Sequence, residues 1–260
     1  MASKLFDLSG RVALITGGNS GIGLGMAEGL AEHGCDICIW GTNASKNEAA
    51  LETLQQYGTR VRSQVCNVAD AREVEQAFAQ TLKDFGRVDG CFANAGVGGG
   101  GVTFDEFSDE EWHRVIGVNL HGVFHTFKWA AKHMRERAKD GDSFGRLVGT
   151  ASLAAISGQP RGEHYAATKG GLISMIRALA VEYARYSVTA NVILPGWIET
   201  AMTEGSMGNP RFADAVMRRI PVRRWGEPAD FAGIALYLMS TASNYHTADS
   251  FLIDGGYAVF

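Results

Sequence analysis

The sequence lacks any apolar run approaching the roughly 18 residues that a helix needs to cross a bilayer. Its first residues also lack the basic start, apolar centre and small-residue cleavage site of a signal peptide. Its formal net charge of −4 leaves no surplus of basic residues of the kind that nucleic-acid-binding proteins carry on one face. We therefore expect a cytoplasmic protein that binds neither membranes nor nucleic acids.

Cysteine is scarce, with four residues in 260, and the pattern of these residues predicts no metal or redox site. Cys35 and Cys38 form a CxxC pair, but their segment is typical of a buried strand, in which positions three apart point to opposite faces. Cys66 and Cys91 add no second CxxC, and no histidine cluster has zinc spacing. We expect four buried thiols and no metal ligands.

Apolar, strand-like segments alternate with helical patterns along the whole sequence. Most of these segments are continuously apolar, as expected when helices cover both faces of a parallel sheet. The predicted strands are Val12–Thr16, Asp36–Trp40, Val61–Cys66, Gly90–Ala93, Arg146–Thr150, Thr189–Leu194 and Ser250–Ile253. Helices are predicted near residues 21–33, 45–57, 71–85, 109–138, 163–186 and 228–240. The alternation predicts an α/β fold over residues 1–260, a single doubly wound Rossmann-type domain with a central parallel seven-stranded sheet.

Two segments interrupt this alternation. Residues 97–102 form a glycine-rich run directly after a predicted strand, which predicts a flexible loop. Residues 197–225 form a long insertion rich in methionine. Because ligands bind at the carboxyl ends of the strands in open α/β sheets, and long loops there are often functional, we predict that residues 197–225 are a substrate lid.

A glycine-rich turn at residues 17–23, here named the glycine turn, follows the first predicted strand. Glycines permit a tight turn and let backbone N–H groups approach a pyrophosphate. The helix that follows adds partial positive charge at its N-terminus. With a strand before it and a helix after it, this turn predicts a dinucleotide site.

Tyr165 and Lys169 are one helical turn apart, so a helix places the phenol and the ammonium group on the same face. A free phenol has a pKa of about 10, and a nearby positive charge is expected to bring that pKa toward neutrality. Ser152 lies thirteen residues before Tyr165 and could fix the oxygen that gains or loses the proton. Such a proton-transfer site needs a hydride carrier, which the dinucleotide would provide.

In their order and spacing, these motifs resemble those of the short-chain dehydrogenase/reductase family over essentially the whole sequence. The residues that carry the resemblance are the TGxxxGxG of the glycine turn, Asn94-Ala95-Gly96, Asn119, Ser152, Tyr165-x-x-x-Lys169 and Pro195-Gly196. The resemblance implies that Tyr165 is the general acid/base and that Lys169 lowers its pKa and binds the nicotinamide ribose. It also implies that Ser152 bonds the substrate oxygen and that Asn119 holds a water of a proton relay. The alternative for Asn119 is a buried amide that bonds backbone at a helix kink.

The resemblance implies a set of cofactor contacts as well. The Asn94-Ala95-Gly96 stretch would lie beside the adenosine half, and Asn67-Val68 stands near the adenine, where the family commonly has Asp-Val. The segment from Pro195 would hold the nicotinamide ring. The complete predicted set is Gly17, Asn19, Ser20, Gly21, Ile22, Gly23, Thr42, Asn43, Asn67, Val68, Asn94, Ala95, Gly96, Tyr165, Lys169, Pro195, Gly196, Ile198 and Thr200.

The end of the second predicted strand bears on the choice between NAD(H) and NADP(H). An acid there would bond the 2′-hydroxyl of NAD, but the position is Gly41. NADP enzymes of the family often have basic residues where this sequence has Ser20 and Thr42. The missing acid removes repulsion of a 2′-phosphate, and the missing arginine removes its charged clamp. Since Thr42 and Asn43 could bond a phosphate, we predict NADP(H) over NAD(H).

The predicted function is an NAD(P)-dependent oxidoreductase that moves a hydride between nicotinamide and a carbonyl or secondary alcohol of a small molecule. Ketoacyl-thioester reductases, sugar dehydrogenases and xenobiotic ketone reductases fit the sequence about equally. Other classes are a nucleotide-binding regulator, a scaffold, or a dehydratase or epimerase with the same cofactor. Surplus apolar residues on helices 109–138 and 163–186 favour a partner subunit, and the family resemblance implies a homotetramer.

Overall fold

A sheet of seven strands forms the centre of the computed structural model, which describes residues 4–260. The strands are β1 (Val12–Thr16), β2 (Asp36–Gly41), β3 (Val61–Val65), β4 (Gly90–Ala93), β5 (Gly145–Thr150), β6 (Val188–Pro195) and β7 (Ser250–Ile253). They are all parallel, in the order β3-β2-β1-β4-β5-β6-β7. This confirms the predicted α/β fold and its seven-stranded parallel sheet, and the strand bounds differ from those predicted only by single residues.

A helix lies in each region where one is predicted, and α7 and α8 are two further helices, in the 197–225 segment. They are α1 (Gly21–Glu32), α2 (Ala44–Gln55), α3 (Ala71–Phe85), α4 (Asp109–Ile116), α5 (Gly122–Lys139), α6 (Glu163–Tyr183), α7 (Glu204–Met207), α8 (Pro210–Arg219) and α9 (Ala232–Met239). The prediction of one uninterrupted α-helix over residues 109–138 is wrong for its central part, because Gly117–His121 form a π-helical turn between α4 and α5. Within this turn the Asn119 amide is turned inward to bond the backbone of Val97, and such a side-chain bond accounts for the break.

The core occupies both faces of the sheet, because neighbouring strand residues point in opposite directions. Leu14 packs in one cluster with residues of α3, α5 and α6. Ile15, the next residue, packs in a second cluster with residues of α1 and α9. Cys35 and Cys38 likewise belong to opposite clusters. All four cysteines are buried and free, as predicted.

The residue 197–225 segment folds over the carboxyl edge of the sheet and has a small core of its own. Val216, Ile220 and Trp225 are buried there, with Trp197 and the methionines 207 and 217 packed against them. The segment contains α7 and α8, and α8 begins at Asn209, whose side chain accepts a hydrogen bond from the Phe212 backbone N–H. Such a cap satisfies a donor that the helix leaves unpaired.

Within residues 4–260, no helix combines the length and apolar character that crossing a membrane requires. Over the same residues, no three histidine, cysteine, aspartate or glutamate side chains come close enough to hold a metal ion.

Candidate active site

A cleft of about 700 Å³ lies at the carboxyl edge of the sheet. It opens where β1 and β4 are neighbours, which is the point where the strand order changes direction and where α/β sheets bind ligands. The cleft is lined by Ser152, Tyr165, Lys169 and all the predicted cofactor residues except Gly23. Of the residues predicted from sequence, only Gly23 and Asn119 do not line it.

The glycine turn has the shape that a phosphate-binding turn needs. Gly17 and Gly21 have φ angles of +63° and +52°, a region that side chains other than glycine rarely adopt. Gly23 lies below the turn, where an added Cβ would collide with the carbonyl oxygen of Gly17. The side chain of Ser20 does not cap α1, so the first N–H groups of that helix are left for a ligand. The turn therefore fits the pyrophosphate of a dinucleotide.

Ser152, Tyr165 and Lys169 come together at the other end of the cleft. Ser152 follows β5, and its Oγ accepts a hydrogen bond from the backbone N–H of Ala154 at 3.1 Å. The Lys169 ammonium is 5.4 Å from the centre of the Tyr165 ring and donates to the carbonyl oxygen of Thr150 at 2.7 Å. Lys169 is only 3% exposed, so its charge is held in a dry site.

Burial shifts the pKa values of both titratable groups. It raises the pKa of Tyr165 above its ordinary value, and a hydrogen bond with Ser152 opposes this rise only in part. It lowers the pKa of Lys169 to about 8. The direction for Tyr165 is opposite to the one expected from the charge of Lys169 alone, because loss of hydration disfavours the phenolate more than the other contacts favour it.

Asn119 is fully buried and bonds backbone. Its Oδ1 accepts from the N–H of Val97 at 2.8 Å, and its Nδ2 donates to the carbonyl oxygen of Val97 at 2.9 Å. It lies behind Gly96, where a Cβ would be 3.4 Å from Asn119 Oδ1 and 3.6 Å from Lys169 Nζ. This geometry matches the alternative of a buried amide at a helix kink, and it also places Asn119 and Lys169 next to the same glycine.

The end of β2 leaves no room for a side chain at Gly41. A Cβ there would collide with Asn19 Nδ2 and would lie 2.6 Å from Asn47 Oδ1. Asn19 Nδ2 donates to Asn47 Oδ1 at 2.7 Å. Asn47 is 2% exposed and also donates to the carbonyl oxygens of Gly41 and Gln64. Two asparagine amides thus fill the space that an acidic residue would need.

Lys46 is a lining residue that sequence reasoning missed. It lies in the first turn of α2, and its backbone N–H donates to Asn43 Oδ1 at 2.9 Å. The Asn43 side chain therefore caps a helix, while Lys46 brings a positive charge to the same end of the cleft as Thr42. The signal in the sequence was a lysine three residues after a capping asparagine. Among the described lining residues, only Lys46 and Lys169 are charged.

The end of the cleft near Tyr165 is bounded by two loops and by the 197–225 segment. Gly98 and Gly99 of the 97–102 loop line it, but Val102 does not. Trp197 also lines it and is packed edge-on at 5.1 Å from Phe212 and 6.4 Å from Tyr257, measured between ring centres. Trp197 belongs to the predicted lid segment, whereas Tyr257 lies outside every predicted site segment. Arg161, Glu199 and Glu204, which adjoin these segments in the sequence, are absent from the described lining.

Comparison with known proteins gives relatives that extend over nearly the whole chain. A family model described as enoyl-(acyl carrier protein) reductase matches residues 17–258. The 5-keto-D-gluconate 5-reductase of Escherichia coli (strain K12) is 34% identical over 99% of both chains. Levodione reductase of Leifsonia aquatica is 38% identical over 95% of this chain and 93% of its own. A crystal structure of a gluconate 5-dehydrogenase from Burkholderia cenocepacia J2315, in complex with NADP and tartrate, has a TM-score of 0.93 at 32% identity, and 100% of each chain is covered.

These relatives are dehydrogenases and reductases, and the range matched by the family model, residues 17–258, contains the glycine turn and Tyr165. The same motifs predict this relationship from the sequence alone. The chain belongs to the short-chain dehydrogenase/reductase family of oxidoreductases.

Proposed function

We propose that this protein is an NADP(H)-dependent oxidoreductase that interconverts a carbonyl group and a secondary alcohol of a small molecule. The observation that carries the proposal is the position of Ser152, Tyr165 and Lys169 in one cleft with the glycine turn. When bound, the nicotinamide cofactor supplies or accepts the hydride. The protein supplies binding, orientation and the proton.

Tyr165 is the proposed proton donor during reduction. Its raised pKa keeps the phenol protonated at neutral pH, so that it can give its proton to the substrate oxygen. Ser152, whose side chain acts to lower the pKa of Tyr165, holds that oxygen. The ammonium of Lys169, 5.4 Å from the ring centre, stabilises the phenolate that forms as the proton leaves.

In our proposal the cofactor site favours NADP(H), because one end of the cleft carries a positive charge and no acidic residue that would repel a 2′-phosphate. Lys46 and Thr42 lie near the end of β2, where a 2′-phosphate would be recognised. The described lining contains neither aspartate nor glutamate. The Burkholderia relative was crystallised in complex with NADP. The remaining predicted contacts, from Asn67 to Thr200, are proposed to hold the adenine and the nicotinamide.

Asn119 and the 197–225 segment have proposed supporting roles. Asn119 positions the Gly96–Val97 backbone at the floor of the site, and the proton relay through Lys169 stays a prediction. The 197–225 segment is the proposed lid, since Trp197 and Met202 within it line the cleft. The small core beneath it, around Trp225, would let it move as one unit.

A Tyr165→Phe variant tests the reaction. It keeps the ring but removes the proton, so we expect turnover to fall by roughly 10²–10⁴-fold while the dissociation constant for NADPH changes little. Ketone reduction followed at 340 nm gives turnover, and NADPH fluorescence titration gives binding. Tyr183→Phe, near the far end of α6, is the matched control and should retain activity. Near-normal turnover of Tyr165→Phe would contradict the assignment of Tyr165 as the proton donor.

We also propose that the protein is a homotetramer built on α5 and α6. Phe124 on α5 is 50% exposed and Val181 on α6 is 81% exposed, and such residues are costly to leave in water. Size-exclusion chromatography with light scattering should give about four times the chain mass of 27.9 kDa. A monomer mass at micromolar concentration would contradict this proposal.

A further inference from the structure

We infer that the substrate is a neutral, mainly apolar ketone or alcohol rather than a carboxylate or a polyol. This inference rests on the proposed oxidoreductase function and narrows its substrate class. It follows from three properties of the cleft near Tyr165: the charges on its lining, the hydrogen bonds of two of its hydroxyl groups and the two large apolar side chains, Trp197 and Met202, that line it.

Cations that would receive a carboxylate are missing from this end of the cleft. Lys169 is the only charged lining residue there among those described, and its ammonium is held by Thr150 at 2.7 Å. Two arginines touch lining residues, but both have partners. Arg114 pairs with Glu111 at 2.7 Å, and Arg219 donates to the Tyr257 hydroxyl at 2.9 Å. A carboxylate bound here would lose its hydration without gaining a dedicated ion pair.

Two of the hydroxyl groups near this end, those of Ser157 and Thr203, already bond the protein backbone. Ser157 Oγ donates to the carbonyl oxygen of Leu153 at 3.1 Å. Thr203 Oγ1 donates to the carbonyl oxygen of Ile198 and accepts from the backbone N–H of Thr200 at 3.1 Å. A polyol exchanges many hydrogen bonds with water for hydrogen bonds with its site, and each group left unpaired weakens binding. The Ser157 and Thr203 hydroxyls would have to give up or share these bonds to receive a polyol.

Two large apolar side chains, Trp197 and Met202, line this end of the cleft. Trp197 presents an aromatic ring that is fixed by edge contacts with Phe212, Trp225 and Tyr257. Met202 reaches toward the 97–102 loop, since a Cβ on Gly98 would be 3.5 Å from its Cγ. Met202 is 53% exposed in a site that a ligand would cover. A rigid aromatic side chain beside an adaptable methionine fits a compact apolar ring better than a hydrated chain.

A pair of ketones that share one ring and differ in charge at the same position tests this. Methyl 4-oxocyclohexane-1-carboxylate is neutral, and 4-oxocyclohexane-1-carboxylate, which lacks the ester methyl group, is an anion. We expect kcat/KM for the ester to exceed that for the anion by about tenfold or more, with 5-keto-D-gluconate no better than the anion. Calorimetric titration of both ketones into enzyme saturated with NADP⁺ should give the same order of affinity. Equal or better use of the anion or of 5-keto-D-gluconate, or equal binding of the pair, would overturn the inference.

A variant that adds the missing charge makes the test stricter. Ser157 is an exposed lining residue, so Ser157→Lys places a cation on this wall, and Ser157→Met is the uncharged control of similar length. The ratio of anion to ester kcat/KM should rise about tenfold in Ser157→Lys and stay near that of the parent in Ser157→Met. An unchanged ratio in Ser157→Lys would contradict selection by charge. Failure of the oxidoreductase proposal is distinct, because the ester would then bind in the calorimeter without being reduced.

Discussion

The substitution Gly41→Asp tests whether cofactor choice is built into the end of β2. An acid at this position is the usual means of selecting NAD, so the simplest expectation is a switch of preference toward NADH. The structure predicts a different result, because the new Cβ would collide with Asn19 Nδ2 and lie 2.6 Å from Asn47 Oδ1. The Asn19 amide must move, and its 2.7 Å hydrogen bond to Asn47 is lost.

The expected loss of stability follows from the buried group that loses its hydrogen-bond partner when the Asn19 amide moves. Asn47 is 2% exposed, so its Oδ1 becomes a buried acceptor without a donor, at a cost of about 1–3 kcal/mol of stability. The new carboxylate also repels a 2′-phosphate, which we expect to weaken NADPH binding by about tenfold. NADH gains nothing, because the displaced amide occupies the space that its ribose hydroxyl needs. Adding Asn19→Gly removes that amide, and the double variant should prefer NADH.

Fluorescence titrations with NADPH and NADH measure the two dissociation constants, and urea unfolding measures the stability of each variant. Gly233→Asp is the matched control, because a Cβ there meets no atom within 4 Å and the position is exposed on α9. If Gly41→Asp alone gave an NADH-preferring protein of unchanged stability, the two asparagine amides would not be the obstacle that their contacts suggest.

Two further predictions concern the lysines of the cleft. Lys46→Met should weaken NADPH binding by about tenfold and leave NADH binding almost unchanged. Lys46→Arg should retain the preference for NADPH over NADH. Equal losses of affinity for both cofactors in the same titrations would exclude a contact between Lys46 and the 2′-phosphate. Burial lowers the pKa of Lys169 to about 8, below its unfolded value of about 10.4. Between these values the unfolded chain holds more protons than the native protein, so the stability of the cofactor-free protein relative to Lys169→Met should rise by on the order of 2 kcal/mol from about pH 7.5 to 9.5. Urea unfolding at pH 7.5, 8.5 and 9.5 checks this. If the stability difference between the parent protein and Lys169→Met did not change with pH, the claim that burial lowers the pKa of Lys169 would be contradicted.

The sheet and the glycine turn are predictable from sequence because their signals are local. Continuously apolar segments separated by helical patterns lead to a parallel sheet, and a strand, a glycine turn and a helix in sequence define a phosphate site. The break at Gly117–His121 is not predictable in this way. Its sequence is compatible with a continuous helix, and the break depends on the bonds of Asn119 to Val97, a contact between distant elements.

Lys46 and the pKa of Tyr165 illustrate the same limit. The sequence shows a lysine shortly after β2, but whether it faces the cleft depends on where the Asn43 cap begins α2. The spacing of Tyr165 and Lys169 predicts that they share a helix face. It gives no measure of burial, and burial decides that the pKa of the phenol is raised rather than lowered.

The four buried cysteines can report when parts of the protein open, because each thiol becomes available for labelling only after the structure around it opens. Alkylating reagents attack the thiolate, and burial raises the pKa of Cys38 and Cys66 to about 12 and that of Cys35 and Cys91 above its ordinary value. Labelling of the native protein must therefore wait for an opening motion. Cys91 lies in central strand β4, so its labelling requires the sheet to come apart. Cys66 lines the cleft beside Asn67 and Val68, the proposed adenine contacts, so its labelling reports local opening there, without an added fluorophore.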